Sequence, residues 1–162
     1  MVLGITQPID FVKAVGNDLN PLVISTILCY FYLPRELQDA HWAKNIIIEN
    51  EQDAAEMFAE MMRFSGFRVL TDAGSSTAIS TIDRQKPAAV ILDIMMPGIS
   101  GLEVLRYMRR EPEMAKIPVV VVSAKSKPTD IQTGLKAGAS VNLTKPVSYL
   151  DLKGAAKKVL SA

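Results

Sequence analysis

Cysteine and histidine are nearly missing from this chain, with Cys29 and His41 the single examples among 162 residues. One cysteine excludes a disulfide within the chain, and a reduced, cytoplasmic compartment is the expectation. A lone histidine in an N-terminal stretch reads as structural or solvated rather than as a phosphodonor. Neither charge sign is in excess: 18 basic against 17 acidic residues leave a net charge of +1. That balance gives no general pull towards nucleic acid or an anionic membrane. Long apolar runs are lacking as well. The stretch LVISTILCYFYL at 22–33 has twelve residues, short of the roughly 20 that a spanning helix needs. It also lies too far from the start, without a basic leader, to be a signal peptide. It reads as a short buried helix or strand, and no membrane partner is expected. Internal repeats and low-complexity segments are absent.

What the chain does have is apolar content, 49% of its residues, enough for a globular core. Its character changes near residue 44. Apolar runs at 46–48, 67–71, 88–92, 117–122 and 141–144 read as strands. Between and after them, 51–64, 75–84, 102–110, 129–137 and 149–160 carry helical spacing. In the first helix that spacing is set by Ala54, Ala55, Phe58, Met61 and Met62, and the Met57, Met61, Met62 group reads as core. Ser75 or Ser76 is the candidate cap of the second helix, and Gly138 ends the fourth. Strict alternation of this kind predicts an α/β fold: a doubly wound, five-stranded parallel sheet covered on both faces. Unbroken apolar strands suit burial on both sides. Right-handed crossovers favour the flavodoxin-like order 2-1-3-4-5, with ligands outside the carboxyl ends of the strands. The resulting division is an N-terminal extension, 1–43, and a domain over 44–162.

The carboxyl ends are where chemistry gathers. The first strand runs into Glu49-Asn50-Glu51, the third into Asp93, the fourth into Ser123 and the fifth into Thr144-Lys145-Pro146. No glycine-rich phosphate loop follows the first strand, which weighs against a flavin or nucleotide binder. An acidic cluster flanked by a lysine is what phosphoryl chemistry on a carboxylate requires. Mg²⁺, a hard cation, would take oxygen ligands there and screen the repulsion between Asp93 and an incoming phosphoryl group. Lys145 would ion-pair with one phosphoryl oxygen and Ser123 would hydrogen-bond to another. Taken singly, each residue has a plainer reading. Asp93 would be a loop acid before a Met-Pro-Gly turn, Glu49 a solvated acid, Ser123 a turn hydroxyl. Asn50 would cap the first helix, with Asp53 three residues on. Lys145 is harder to explain away, because a buried ammonium needs a partner.

The runs NIIIENEQDAAEMF, VILDIMMPGISGLEVLRYMRR, IPVVVVSAK and GLKAGASVNLTKP, in this order and spacing, resemble the receiver domains of two-component response regulators. The resemblance covers about residues 44–161. It implies an aspartyl phosphate on Asp93, formed with a histidine kinase or phosphotransfer protein. Catalysis by the chain itself would be at most self-phosphorylation and self-dephosphorylation. It further implies Ser123 as the switch hydroxyl, Lys145 as the phosphate-pairing lysine, and Mg²⁺ held by Glu49, Asn50, Asp93 and the backbone carbonyl of Met95. Met95 and Lys125 fall at positions that modulate loss of the phosphoryl group. The Lys145-Pro146 bond matches one that is usually cis.

Two positions depart from the family pattern. Asn50 stands where a second acid is usual, so Mg²⁺ binding should be weaker. Asn142 stands where an aromatic that swings inward is usual, which puts coupling to the output face in doubt. The leading expectation is a stand-alone receiver, since 162 is reached directly after the last helix. Its output would be a protein partner docking on the face of the fourth helix, fifth strand and fifth helix, with no nucleic acid. The alternative is a receiver-like binding module that works without phosphorylation. Residues 1–43, with Tyr30, Phe31, Tyr32 and Trp42, would pack on the domain, mediate a homodimer or dock a partner. Arg106, Arg109 and Arg110 read as a solvated helix end that complements the dipole.

Overall fold

A computed structural model describes residues 44–124 and 126–161. The readings placed on 1–43, Cys29 and His41 among them, and on Lys125 lie outside the described residues. Within them, five strands alternate with five helices. The strands are β1 (Lys44–Ile48), β2 (Arg68–Asp72), β3 (Ala89–Asp93), β4 (Val119–Ser123) and β5 (Val141–Thr144). The helices are α1 (Gln52–Phe64), α2 (Ser75–Gln85), α3 (Gly101–Arg110), α4 (Pro128–Lys136) and α5 (Tyr149–Leu160). All strand pairs are parallel and the order is β2-β1-β3-β4-β5. The doubly wound, flavodoxin-like architecture is therefore as expected. No helix of the described residues is long and apolar enough to cross a membrane.

The three central strands bury almost everything they carry. Their side chains point alternately to the two faces, so one apolar run feeds two cores. Ile46, Ile48, Val90, Leu92, Val119 and Val121 pack with Ala78, Ile82, Val104, Leu105 and Met108. On the opposite face Ile47, Ile91, Val120 and Val122 meet Phe58, Met62, Leu152, Ala156 and Val159. Two closed faces leave only the strand ends for polar groups. That is why the chemistry collects at the rim.

Element ends differ from expectation for local reasons. β2 extends to Asp72, which pairs with Ile48. The Asp72 carboxylate then accepts from the Gly74 N–H at 2.9 Å and the hydroxyls of Thr77 and Thr81 at 2.6 and 2.5 Å. Gly74, not Ser75 or Ser76, is the N-cap of α2, and it makes no side-chain cap bond. Burial opposes ionisation of Asp72, but these donors outweigh it and hold its pKa below the ordinary value. β4 starts after Pro118, which has no N–H to give the ladder. α4 starts one residue early because Pro128 suits the first helical position. Met62 is core as expected, whereas Met57 is 45% exposed.

The arginines at the end of α3 divide. Arg106 and Arg110 are exposed, but Arg109 is not a solvated helix end. Its guanidinium donates to the carbonyls of Gly138 at 3.0 Å, Ala115 at 3.2 Å and Ile117 at 3.0 Å. It ties α3 to the segments on both sides of β4, and burial holds its pKa below the ordinary arginine value. Gly138 has φ +103° and a Cβ there would fall 2.8 Å from the Arg109 side chain, so only glycine fits the turn. Replacing Arg109 with leucine strips three carbonyls of their donor. Stability should fall by about 2 kcal/mol, read as a lower urea midpoint at unchanged slope. Arg110→Leu, at an exposed position, should shift it by under about 0.5 kcal/mol.

Candidate functional site

The site is built from three strand ends. Each central strand carries an unbroken apolar run up to its carboxyl end and then delivers one polar group. Glu49 follows β1, Asp93 closes β3 and Ser123 closes β4. Exposure is 1% for Glu49, 4% for Asp93 and 1% for Ser123. Two carboxylates so far from water, on neighbouring strands, would repel each other strongly. Lys145, just after β5, supplies the counter-charge. Its Nζ lies 2.7 Å from Asp93 Oδ2 and 2.8 Å from Glu49 Oε2.

The second oxygen of each carboxylate is held by backbone. Asp93 Oδ1 accepts the Met95 N–H at 2.8 Å, and Glu49 Oε1 accepts the Glu51 N–H at 3.1 Å. Desolvation pushes the Glu49 pKa above the ordinary glutamate value, a rise that the Lys145 bond only partly offsets. Burial alone would lower Lys145. The bonds to Asp93 and Glu49 outweigh it and hold the lysine above its ordinary value. The ammonium is therefore a fixed positive charge at neutral pH.

Ser123 shares this frame through its backbone. Its carbonyl accepts the Lys145 N–H at 2.8 Å, and it stands in register with Thr144. The Lys145-Pro146 bond is cis, as the resemblance implied. Met95 is half-exposed at the mouth. Asn50 is half-buried between β1 and α1 but does not cap the helix. Glu51 is the N-cap, without a side-chain bond, and the turn is closed by the Glu49 carboxylate on the Glu51 N–H instead.

Gly101 belongs to the site although the sequence reading passed over it. A Cβ built there would lie 2.1 Å from the Asp93 carbonyl oxygen and 2.7 Å from the Ile94 Cα. Both are backbone atoms that cannot step aside. Any side chain at 101 would therefore displace Asp93 itself. The Ser100/Glu103 capping box holds α3 in this close approach. The signal available in the sequence was a Ser-Gly pair directly before an apolar helical pattern.

The oxygen donors suit a divalent cation in kind. Two carboxylates, the Asn50 amide and the Met95 carbonyl are hard ligands, and each carboxylate oxygen keeps a lone pair beyond its hydrogen bond. Charge is the weak point. Among the described residues no three His, Cys, Asp or Glu side chains gather to hold a metal, and Asn50 brings an amide without a charge.

Residues 46–157 match the family model of the response regulator receiver domain. The chain is 37% identical over 103 residues to the probable transcriptional regulatory protein TcrX of Mycobacterium tuberculosis, covering 64% of this chain and 43% of that protein. It is 32% identical over 115 residues to the phosphate regulon transcriptional regulatory protein PhoB of Pseudomonas aeruginosa, covering 71% of this chain and 50% of that protein. The chain thus spans about half the length of the curated relatives it matches. Its fold is also that of the receiver domain of a Francisella response regulator, with a TM-score of 0.70 at 22% identity over 74% of this chain and 97% of the other.

Lys145→Met should lower stability at neutral pH by about 3 kcal/mol, because it leaves two buried carboxylates facing each other. In the variant Glu49 loses the bond that partly offsets its desolvation, so its pKa rises further in the folded state, and the lost stability returns as the pH falls and it protonates. Urea unfolding between pH 7 and 5, in a chelator, measures this; a deficit that does not shrink in acid would contradict the pairing.

Proposed function

The chain belongs to the response regulator receiver domain family, and from that premise we propose that it accepts a phosphoryl group on Asp93 from a histidine kinase or phosphotransfer protein. The observation that carries this reading is the Lys145 ammonium set between the Asp93 and Glu49 carboxylates. An oxygen of Asp93 attacks the phosphorus of a phosphohistidine. The P–N bond breaks, the P–O bond of an acyl phosphate forms, and the imidazole keeps the electron pair and takes up a proton. Three tasks then fall to the chain. Lys145 neutralises charge on the transferring group without needing a proton of its own. Ser123 serves as the hydroxyl that hydrogen-bonds to the new phosphoryl group. The Met95 N–H keeps the carboxylate in one orientation. Glu49, Asn50, Asp93 and the Met95 carbonyl would hold Mg²⁺, which supplies charge neutralisation at the phosphoryl oxygens.

The signal leaves, in this proposal, through a protein partner on the face of α4, β5 and α5, with no nucleic acid contact by the domain. The receiver domain acts in the cytoplasm. A second reading, a module that binds its partner unmodified, is favoured by Asn50, which leaves the metal site one negative charge short.

Incubation with acetyl phosphate and Mg²⁺ should add the mass of one phosphoryl group to the chain alone. Asp93→Asn should abolish the gain. No gain with any donor would end the proposal and leave the second reading. Asn50→Asp should tighten Mg²⁺ binding by at least about fivefold, since a unit charge near 4 Å is worth about 1 kcal/mol or more. Calorimetric titration reads this, and unchanged affinity would remove Asn50 from the ligand set.

A further inference from the structure

The helices do not grip the sheet equally. α1, α3 and α5 each bury four residues. α4 buries one, Gly134, which has no side chain to pack. Leu135 beside it is 46% exposed. The α4 sequence PTDIQTGLK also mixes Thr, Ile and Gly, which are poor helix formers, and nine residues are too few to hold a helix in water. What keeps α4 in place is therefore the close approach of the Gly134 backbone to β5 and β4. A Cβ at 134 would lie 2.9 Å from Asn142 Oδ1 and 3.9 Å from Val121 Cγ1.

Asn142 is the wrong partner for a tight apolar contact. Its Oδ1 is buried and receives no hydrogen bond. An aromatic at this position would gain by being covered. An amide oxygen gains by being uncovered, because water then satisfies it. From this arrangement we infer that α4 is a spring-loaded release element, driven off β5 in the unmodified protein by hydration of Asn142 Oδ1. The α4 face of this chain then opens without a phosphoryl group. This goes beyond phosphoryl acceptance and does not depend on it.

Native-state amide hydrogen exchange on the unmodified full chain tests the inference. Amides of α4 should exchange faster than those of α1, α3 and α5. Asn142→Val removes the acceptor and keeps a strand-favouring side chain. It should raise α4 protection about tenfold, the equivalent of one buried unsatisfied group, with α3 unchanged. Gly134→Ala keeps the test clear of packing losses at 142. With Asn142 present the new methyl meets Oδ1 and α4 protection should fall. With Asn142→Ala the oxygen is gone, and alanine's better helix propensity should raise it. Equal protection of α4 and α3, no rise with Asn142→Val, or the same effect of Gly134→Ala in both backgrounds would overturn the inference.

Discussion

Everything at the rim turns on one ammonium. Glu49 and Asp93 end adjacent strands in a place nearly closed to water. As anions they are tolerable there only with a positive charge between them, and a lysine at the end of β5 provides it. The strand order makes this possible. β5 is separated from β3 by β4, so the group that neutralises Asp93 must cross the end of one strand. A long, flexible lysine stem does so while the Lys145 backbone stays bonded to the Ser123 carbonyl. The same atoms that make the carboxylates bearable place a cation where phosphoryl oxygens would arrive. Stability and chemistry draw on one ion pair.

The backbone around that pair leaves little slack. Both second carboxylate oxygens are taken by N–H groups two residues further along the chain. Gly101 brings α3 against the Asp93 carbonyl, and Arg109 fastens the other end of α3 to the flanks of β4. α3 is thus clamped at both ends beside Asp93. α4, by contrast, buries only a glycine. Contacts are tight around the Asp93 backbone and sparse under α4.

Two asparagines tilt the design in the same direction. Asn50 puts an amide rather than a charge directly after Glu49, and Asn142 puts an amide under α4. In the proposed receiver, the first lowers the charge offered to a cation. The second, in the inferred release of α4, leaves a buried oxygen that gains by meeting water. A neutral polar side chain lowers the electrostatic demand at one end and raises the hydration demand at the other.

Sequence by itself determined the strands, the parallel sheet and its order, because apolar runs and helical spacing are local patterns. It also located Asp93, Ser123 and Lys145, since each ends an apolar run in a motif of fixed spacing. It misplaced the N-caps of α1 and α2. Caps depend on which donor finds an acceptor, and Asp72 and Glu49 reached the donors first. Arg109 looked like any charged residue at a helix end, and Gly101 like any turn glycine. Their meaning lies in carbonyls that come near only after folding. The pairing of Lys145 with Glu49 spans 96 residues. No periodicity or spacing encodes a contact that long in sequence. It was decided only when the sheet closed and burial left the two carboxylates with that lysine as their counter-charge.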